Sequence, residues 1–250
     1  MNVLITGGAG FLGQALAKAL LASADPRVGR LILADIATPP APVEDARLVL
    51  RQSDLAQAGA AGELCADGID VIFHLAAVVS GQAEEDFDLG MRVNVDATRS
   101  LLQAARGTGR RPIFIFPSSL AVFSQPLPEI VDDTTVVAPK SSYGVEKAIA
   151  ELLVGEYSRR GFIDGRVPRL PTISVRPGAP NRATSSFVSG IIREPLAGQR
   201  AVCPVGRDQV LWISSPRTVI ANLVRCATIP GSELGLAWRT GPTLFAWWRS

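Results

Sequence analysis

Tyr143 and Lys147 stand four residues apart in the run SSYGVEK at 141–147. On a helix, that spacing sends both side chains out from one face. A free phenol, with a pKa near about 10, is a poor base at neutral pH. A cation about 4–6 Å away lowers such a pKa by about 1–3 units, so Lys147 is expected to draw Tyr143 toward proton abstraction. A second cluster sits at the N-terminus, where Gly7, Gly8, Gly10 and Gly13 fall in TGGAGFLG. Glycine weakens helix and strand interiors, so this density implies that something approaches the backbone closely. The spacing Gly7-x-x-Gly10-x-x-Gly13, between an apolar run and a helical pattern, suits a pyrophosphate held by backbone N–H groups at a positive helix end. Asp35 closes the next apolar run, RLILAD. A carboxylate at that distance accepts hydrogen bonds from ribose hydroxyls and repels a 2′-phosphate. Ile36, Ala37 and Thr38 follow it with no Arg or Lys, which favours NAD over NADP.

Elements must hold these residues in place. NVLIT (2–6), RLILAD (30–35), ARLVLRQSD (47–54), DVIFHLA (70–76), RPIFIFPSS (111–119) and VPRLPTISVRPG (167–178) read as six strands. Helical periodicity runs through Phe11, Leu12, Ala15, Leu16, Ala19 and Leu20. A long helix is expected over 84–107, with Glu84, Glu85, Asp86 and Asp88 where the macrodipole favours acids. Another is expected over 141–160, capped by Ser141 or Ser142, with further helices over 184–197 and 214–228. Strands alternating with helices predict an α/β fold: a doubly wound parallel sheet, or Rossmann fold, with a small C-terminal substrate lobe. The expected division is a dinucleotide-binding domain over 1–170, a partial lobe interwoven with it over 171–234, and an atypical tail over 235–250.

Composition excludes several classes of function. The chain has 250 residues, 25 basic against 23 acidic, and so no electrostatic footprint for nucleic acid. No apolar run reaches the length of a membrane span, and the N-terminus carries no secretory pattern. Cys65, Cys203 and Cys226 are odd in number and widely spaced, as expected of idle thiols in a reducing cytoplasm rather than disulfides or metal ligands. His74 is the sole histidine, so no Ser-His-Asp triad can form without it, and its place between Phe73 and Leu75 favours a structural role.

GGAGFLG, HLAA (74–77), PSSLAVF (117–123), YGVEK and the stretch around Asn94 together resemble the extended short-chain dehydrogenase/reductase family of NAD-dependent epimerases and dehydratases. Residues 74–99 and 169–198 resemble members that oxidise a four-carbon sugar acid at C2. The resemblance implies a Ser119, Tyr143, Lys147 catalytic set, with Ser119 bonding the reacting oxygen. It implies NAD contacts from Gly7, Gly10, Phe11, Leu12, Gly13, Asp35, Leu55, Leu75, Ala76, Ala77, Tyr143 and Lys147. Asp54 would touch adenine or serve only as a turn acid. Asn94 would bridge a water to Lys147 or bind backbone. Pro171, Thr172 and Ile173 fall where relatives contact the nicotinamide amide. Ser80, Ser119, Tyr143 and Arg176 would face a small hydroxy acid, with Arg176 either clamping its carboxylate or lying on a Pro-rich surface. A homodimer paired through the 84–107 and 141–160 helices is also implied. Other readings are a nucleotide-sugar epimerase or dehydratase, an L-threonine dehydrogenase-like enzyme, and a non-catalytic dinucleotide-binding remnant. The family pattern ends near Leu234, and GLAWRTGPTLFAWWRS, with Trp238, Trp247 and Trp248, reads as a truncated or frame-shifted tail.

Overall fold

The computed structural model describes residues 1–231, apart from 125, 133 and 179–181; the tail expected over 235–250 lies outside the described residues. Six strands form one parallel sheet: β1 (Asn2–Thr6), β2 (Arg30–Asp35), β3 (Leu48–Gln52), β4 (Val71–His74), β5 (Ile113–Ile115) and β7 (Asp164–Arg166). Their spatial order is β3-β2-β1-β4-β5-β7. The chain therefore winds outward from β1 on one side and then returns to build the other. The switch lies between β1 and β4, whose last residues, Thr6 and His74, are register partners. A crevice opens beyond the carboxyl ends of two such strands, and that is where doubly wound sheets bind ligands.

Apolar side chains cover both faces. Leu16, Leu20, Leu31, Leu33 and Phe73 pack on one side with α1 (Phe11–Ala22) and α8 (Pro216–Thr228). Leu4, Ile72, Leu101, Phe114 and Val154 pack on the other, under α2 (Ala60–Cys65), α5 (Ala97–Gly107) and α6 (Ser142–Arg159). Strands buried on both faces read as continuous apolar runs, which is why VLI, LIL and VIF were legible as sheet.

Three expectations are corrected. The helix expected over 84–107 is broken into α3 (Ser80–Glu85), α4 (Phe87–Gly90), a π-helical turn (Met91–Asp96) and α5. Asp86 leaves helical geometry, at φ −132° and ψ 88°, and its side chain caps the Leu89 N–H. The strand expected over 111–119 divides at Pro117, which has no N–H for the ladder, leaving β5 and the short β6 (Ser118–Ser119). The sixth sheet strand is β7, upstream of the 167–178 run. Beyond Pro168, the chain leaves the main sheet as β8 (Arg169–Leu170) beside β6, and beyond Pro171 as β9 (Thr172–Ile173) beside β10 (Ile213–Ser214). β9 and α7 (Ser186–Leu196) flank the stretch of chain that bears Arg176.

Candidate active site

The glycine turn joins β1 to α1 so tightly that side chains are excluded. A Cβ on Gly7, whose φ is +74°, would lie 2.6 Å from the Ala76 nitrogen. One on Gly13 would overlap the Gly7 carbonyl. Gly13 thus lets α1 close against the turn. α1 begins after Gly10 with no side-chain cap, so its first-turn N–H groups have no local side chain to bond. Beside it lies a cavity of about 370 Å³ lined by Gly7, Gly10, Asp35, Asp54, Leu55, Leu75, Ala76 and Ala77, among others. The Asp35 carboxylate is half-buried there, oriented by the Ala9 N–H at 2.9 Å and the Ile36 N–H at 2.7 Å. Asp54 also lines the cavity, but its oxygens accept from Ala56 N–H and Gln57 Nε2, so it serves its own turn as well. A narrow, glycine-cleared cradle with an acid at the second strand end fits a dinucleotide.

A second cavity, of about 360 Å³, lies against the first and shares Leu75 and Ala77 with it. Ser80, Ser119, Tyr143, Lys147, Pro171, Thr172, Ile173 and Arg176 line it, together with Leu12. Ser119 arrives on β6, and its Oγ accepts from the Ala121 N–H at 3.1 Å, which fixes the hydroxyl. Tyr143 and Lys147 come from the first turns of α6, which is capped by Ser141 accepting from Gly144 N–H at 3.1 Å. Gly144 has to be glycine, since a Cβ there would overlap the Ala121 carbonyl and drive α6 off the Ser119 turn. The Arg176 backbone N–H donates to Ser189 Oγ, and its carbonyl accepts from Arg193, so α7 holds this loop.

The electrostatics differ from the expectation for Tyr143. Burial pushes its phenol up to about 12, Glu146 pushes the same way, and Ser119 and Arg176 pull it down. Lys147 lies beside the ring but is held by other partners. Its Nζ donates to the Pro117 carbonyl at 3.0 Å, sits over the Phe116 ring at 4.4 Å and lies 5.7 Å from the Tyr143 ring centroid. Burial brings Lys147 itself down to about 8, opposed by Glu151 and Glu146. Burial and the nearby Arg193 lower Arg176, with Tyr143 opposing.

Three residues expected at the cofactor fall outside the cavity walls. Phe11 opens α1 half-buried, and Gly13, two residues on, is packed against the glycine turn. Asn94 is buried in the floor, where its amide bonds the Val78 N–H and C=O and donates to Glu146 Oε2 at 2.6 Å. The backbone-binding alternative is the one realised. His74 is structural: Thr98 Oγ1 donates to the Asn94 carbonyl and so accepts from His74 Nε2–H, leaving Nδ1 to accept from Thr6. Burial holds the ring neutral, down to about 3. Thr184 and Ser185, which also line the second cavity, were missed in the sequence because no spacing links them to α6.

A family model described as "NAD dependent epimerase/dehydratase family" matches residues 3–214. The chain belongs to that family. Membership makes it an NAD-dependent oxidoreductase. It is 53% identical over 242 residues to a D-erythronate dehydrogenase of Cupriavidus necator, covering 94% of this chain and 74% of that one. A D-erythronate dehydrogenase of Haemophilus influenzae is 50% identical over 240 residues, covering 96% of this chain and 76% of the relative. A solved nucleoside-diphosphate-sugar epimerase from Agrobacterium tumefaciens superposes with a TM-score of 0.90 at 44% identity, covering 96% of this chain and 72% of that one. Among the described residues no helix is long and apolar enough to cross a membrane, and no cluster of ligands could hold a metal ion.

Proposed function

We propose that this family member oxidises D-erythronate, or a similarly small 2-hydroxy acid, at C2 with NAD as acceptor. The observation that carries the reading is that Ser119, Tyr143, Lys147 and Arg176 line one small cavity sharing a wall with the glycine and Asp35 cavity. The Cupriavidus and Haemophilus relatives, named for D-erythronate, support the choice of substrate. When bound, NAD supplies the acceptor for the C2 hydride. Arg176 holds the substrate carboxylate through paired charge-assisted hydrogen bonds. Ser119 donates to the C2 oxygen, and Tyr143, as phenolate, takes the hydroxyl proton as the carbonyl forms. The Lys147 ammonium, seated on the Pro117 carbonyl, adds positive charge at the floor of the cavity. The reaction belongs in the cytoplasm, where the three thiols stay reduced.

Asp35 selects NAD. A carboxylate fixed by two backbone N–H groups cannot turn away from a 2′-phosphate, so NADP should bind far more weakly. Calorimetry with both dinucleotides checks this, and equal affinities would remove the assignment. The reaction is tested by following NADH formation with D-erythronate, other 2-hydroxy acids, L-threonine and UDP-sugars. Turnover confined to the small hydroxy acids is expected. Turnover of UDP-sugars alone would instead place the chain with the Agrobacterium epimerase in function.

A further inference from the structure

Between Tyr143 and Lys147, α6 carries a third ionisable side chain that the reaction above does not use. Glu146 is completely shielded from solvent, an unusual position for a carboxyl. Its Oε2 accepts from Asn94 Nδ2 at 2.6 Å, while Oε1 has no hydrogen-bond partner among the described residues. Space for Oε1 exists because residue 90 is glycine, where a Cβ would overlap it. Asn94 is itself clamped to Val78 by two hydrogen bonds, at 2.9 and 3.0 Å. Val78 lies in the segment after β4 that separates the two cavities. The carboxyl is thus fixed both to the helix bearing Tyr143 and to the wall the cavities share.

We propose that Glu146 is a positioning residue whose buried negative charge sets the pH at which Tyr143 serves as the base. The inference rests on the catalytic reading of Tyr143. A like charge held away from water disfavours ionisation of its neighbour, and burial limits the screening. The ionisable groups facing this region are Glu84 from α3, Lys147 and Glu151 from α6, and Arg176 from its loop. Glu151 is already paired with Arg169 of β8 through hydrogen bonds of 2.9 and 2.7 Å. Burial and Glu84 push the Glu146 carboxyl up, while Asn94 and Lys147 pull it down. A carboxyl still loses its proton well before a phenol, so the charge is present when Tyr143 titrates. In the oxidation direction the charge strengthens the base and delays its formation. In the reduction of a 2-oxo acid it keeps the phenol protonated as the donor.

Glu146→Gln removes the charge and keeps an acceptor for Asn94. The acid limb of kcat/KM for oxidation should move to lower pH by about one unit, with NAD affinity unchanged. Glu146→Asp retains the charge and should retain the wild-type limb. Should Gln at 146 fail to fold, Glu146→Met supplies an uncharged side chain of similar volume. A readout free of NAD and substrate is also available, because the chain has only two tyrosines. Tyrosinate absorbance, with Tyr143→Phe as the blank, should show Tyr143 ionising at lower pH in Glu146→Gln. Superimposable profiles and titrations for wild type and Glu146→Gln would overturn the role of Glu146 while leaving the base in place. A Tyr143→Phe variant as active as wild type would instead overturn the base reading.

Discussion

At the scale of single residues, the site combines a half-buried phenol with a buried ammonium seated on the Pro117 carbonyl. Tyr143→Phe should lower kcat by about 10²–10⁴-fold with NAD affinity nearly intact, because only the proton acceptor is lost. Arg176→Ala should mainly raise KM, since the carboxylate is held alike in ground and transition states. Steady-state kinetics with D-erythronate measures both, and an unchanged kcat in Tyr143→Phe would refute the assignment. His74 gives a stability prediction. Its folded pKa, near 3, lies below the unfolded value of 6.5, so the unfolded chain binds the extra proton between those limits. The contribution of His74 is therefore complete above 6.5 and is lost as pH falls toward 3, at up to about 1.4 kcal/mol per pH unit. Melting curves across that range should decline less steeply in His74→Gln, which has no ring to protonate.

At the scale of elements, buried polar contacts add to the apolar packing that joins α8 to the sheet. Arg166, at the end of β7, donates to the Cys226 carbonyl at 2.5 Å and to the Ile229 carbonyl at 2.9 Å. These carbonyls lie at the C-terminal end of α8, where helix C=O groups lack intrahelical partners. The same guanidinium pairs with Asp164 at 2.7 Å, so one side chain links the sheet edge to the last described helix. Arg166→Met should cost about 1.5–3 kcal/mol, the loss expected for buried hydrogen bonds to a charged donor. Urea unfolding measures it, and a loss within about 0.5 kcal/mol of zero, as for an ordinary surface site, would show the link to be dispensable. On the opposite face the broken helix has a purpose visible in its hydrogen bonds. The π-helical turn brings Asn94 inward to Val78 and Glu146, which a straight helix from Glu84 would not register in the same way.

At the scale of the whole molecule, α6 leaves apolar side chains unburied. Leu152 is 68% exposed and Val145 40% exposed, although Lys147, Ala150 and Val154 on the same helix are buried. We propose that α5 and α6 pair with the same helices of a second copy, which would cover Leu152. Light scattering at micromolar concentration should report a dimer, and Leu152→Glu should yield a monomer. A monomeric wild type would refute the pairing.

The sequence by itself determined the placements that depend on local spacing. Gly7, Gly10, Gly13 and Asp35 lie on consecutive elements, so their grouping at one strand end follows from β1, α1 and β2 alone. Tyr143 and Lys147 share one helix, and the parallel sheet was legible because its strands are continuous apolar runs. Tertiary structure decided what depends on distant segments meeting in a low-dielectric interior. Desolvation around Tyr143 raised the phenol, and the Pro117 carbonyl came to hold the Lys147 ammonium; neither effect is written in a spacing of four residues. Asn94 reached Val78 and Glu146, rather than the cavity, because a π turn reset the helix, and no residue pattern over 84–107 marked that turn. Pro168 and Pro171 ended the main ladder early, so Arg176 and Thr184 came to the site from a small sheet and loop whose position only packing could fix. Periodicity reports which face of an element is buried, but pKa and contact depend on what the rest of the chain places against that face.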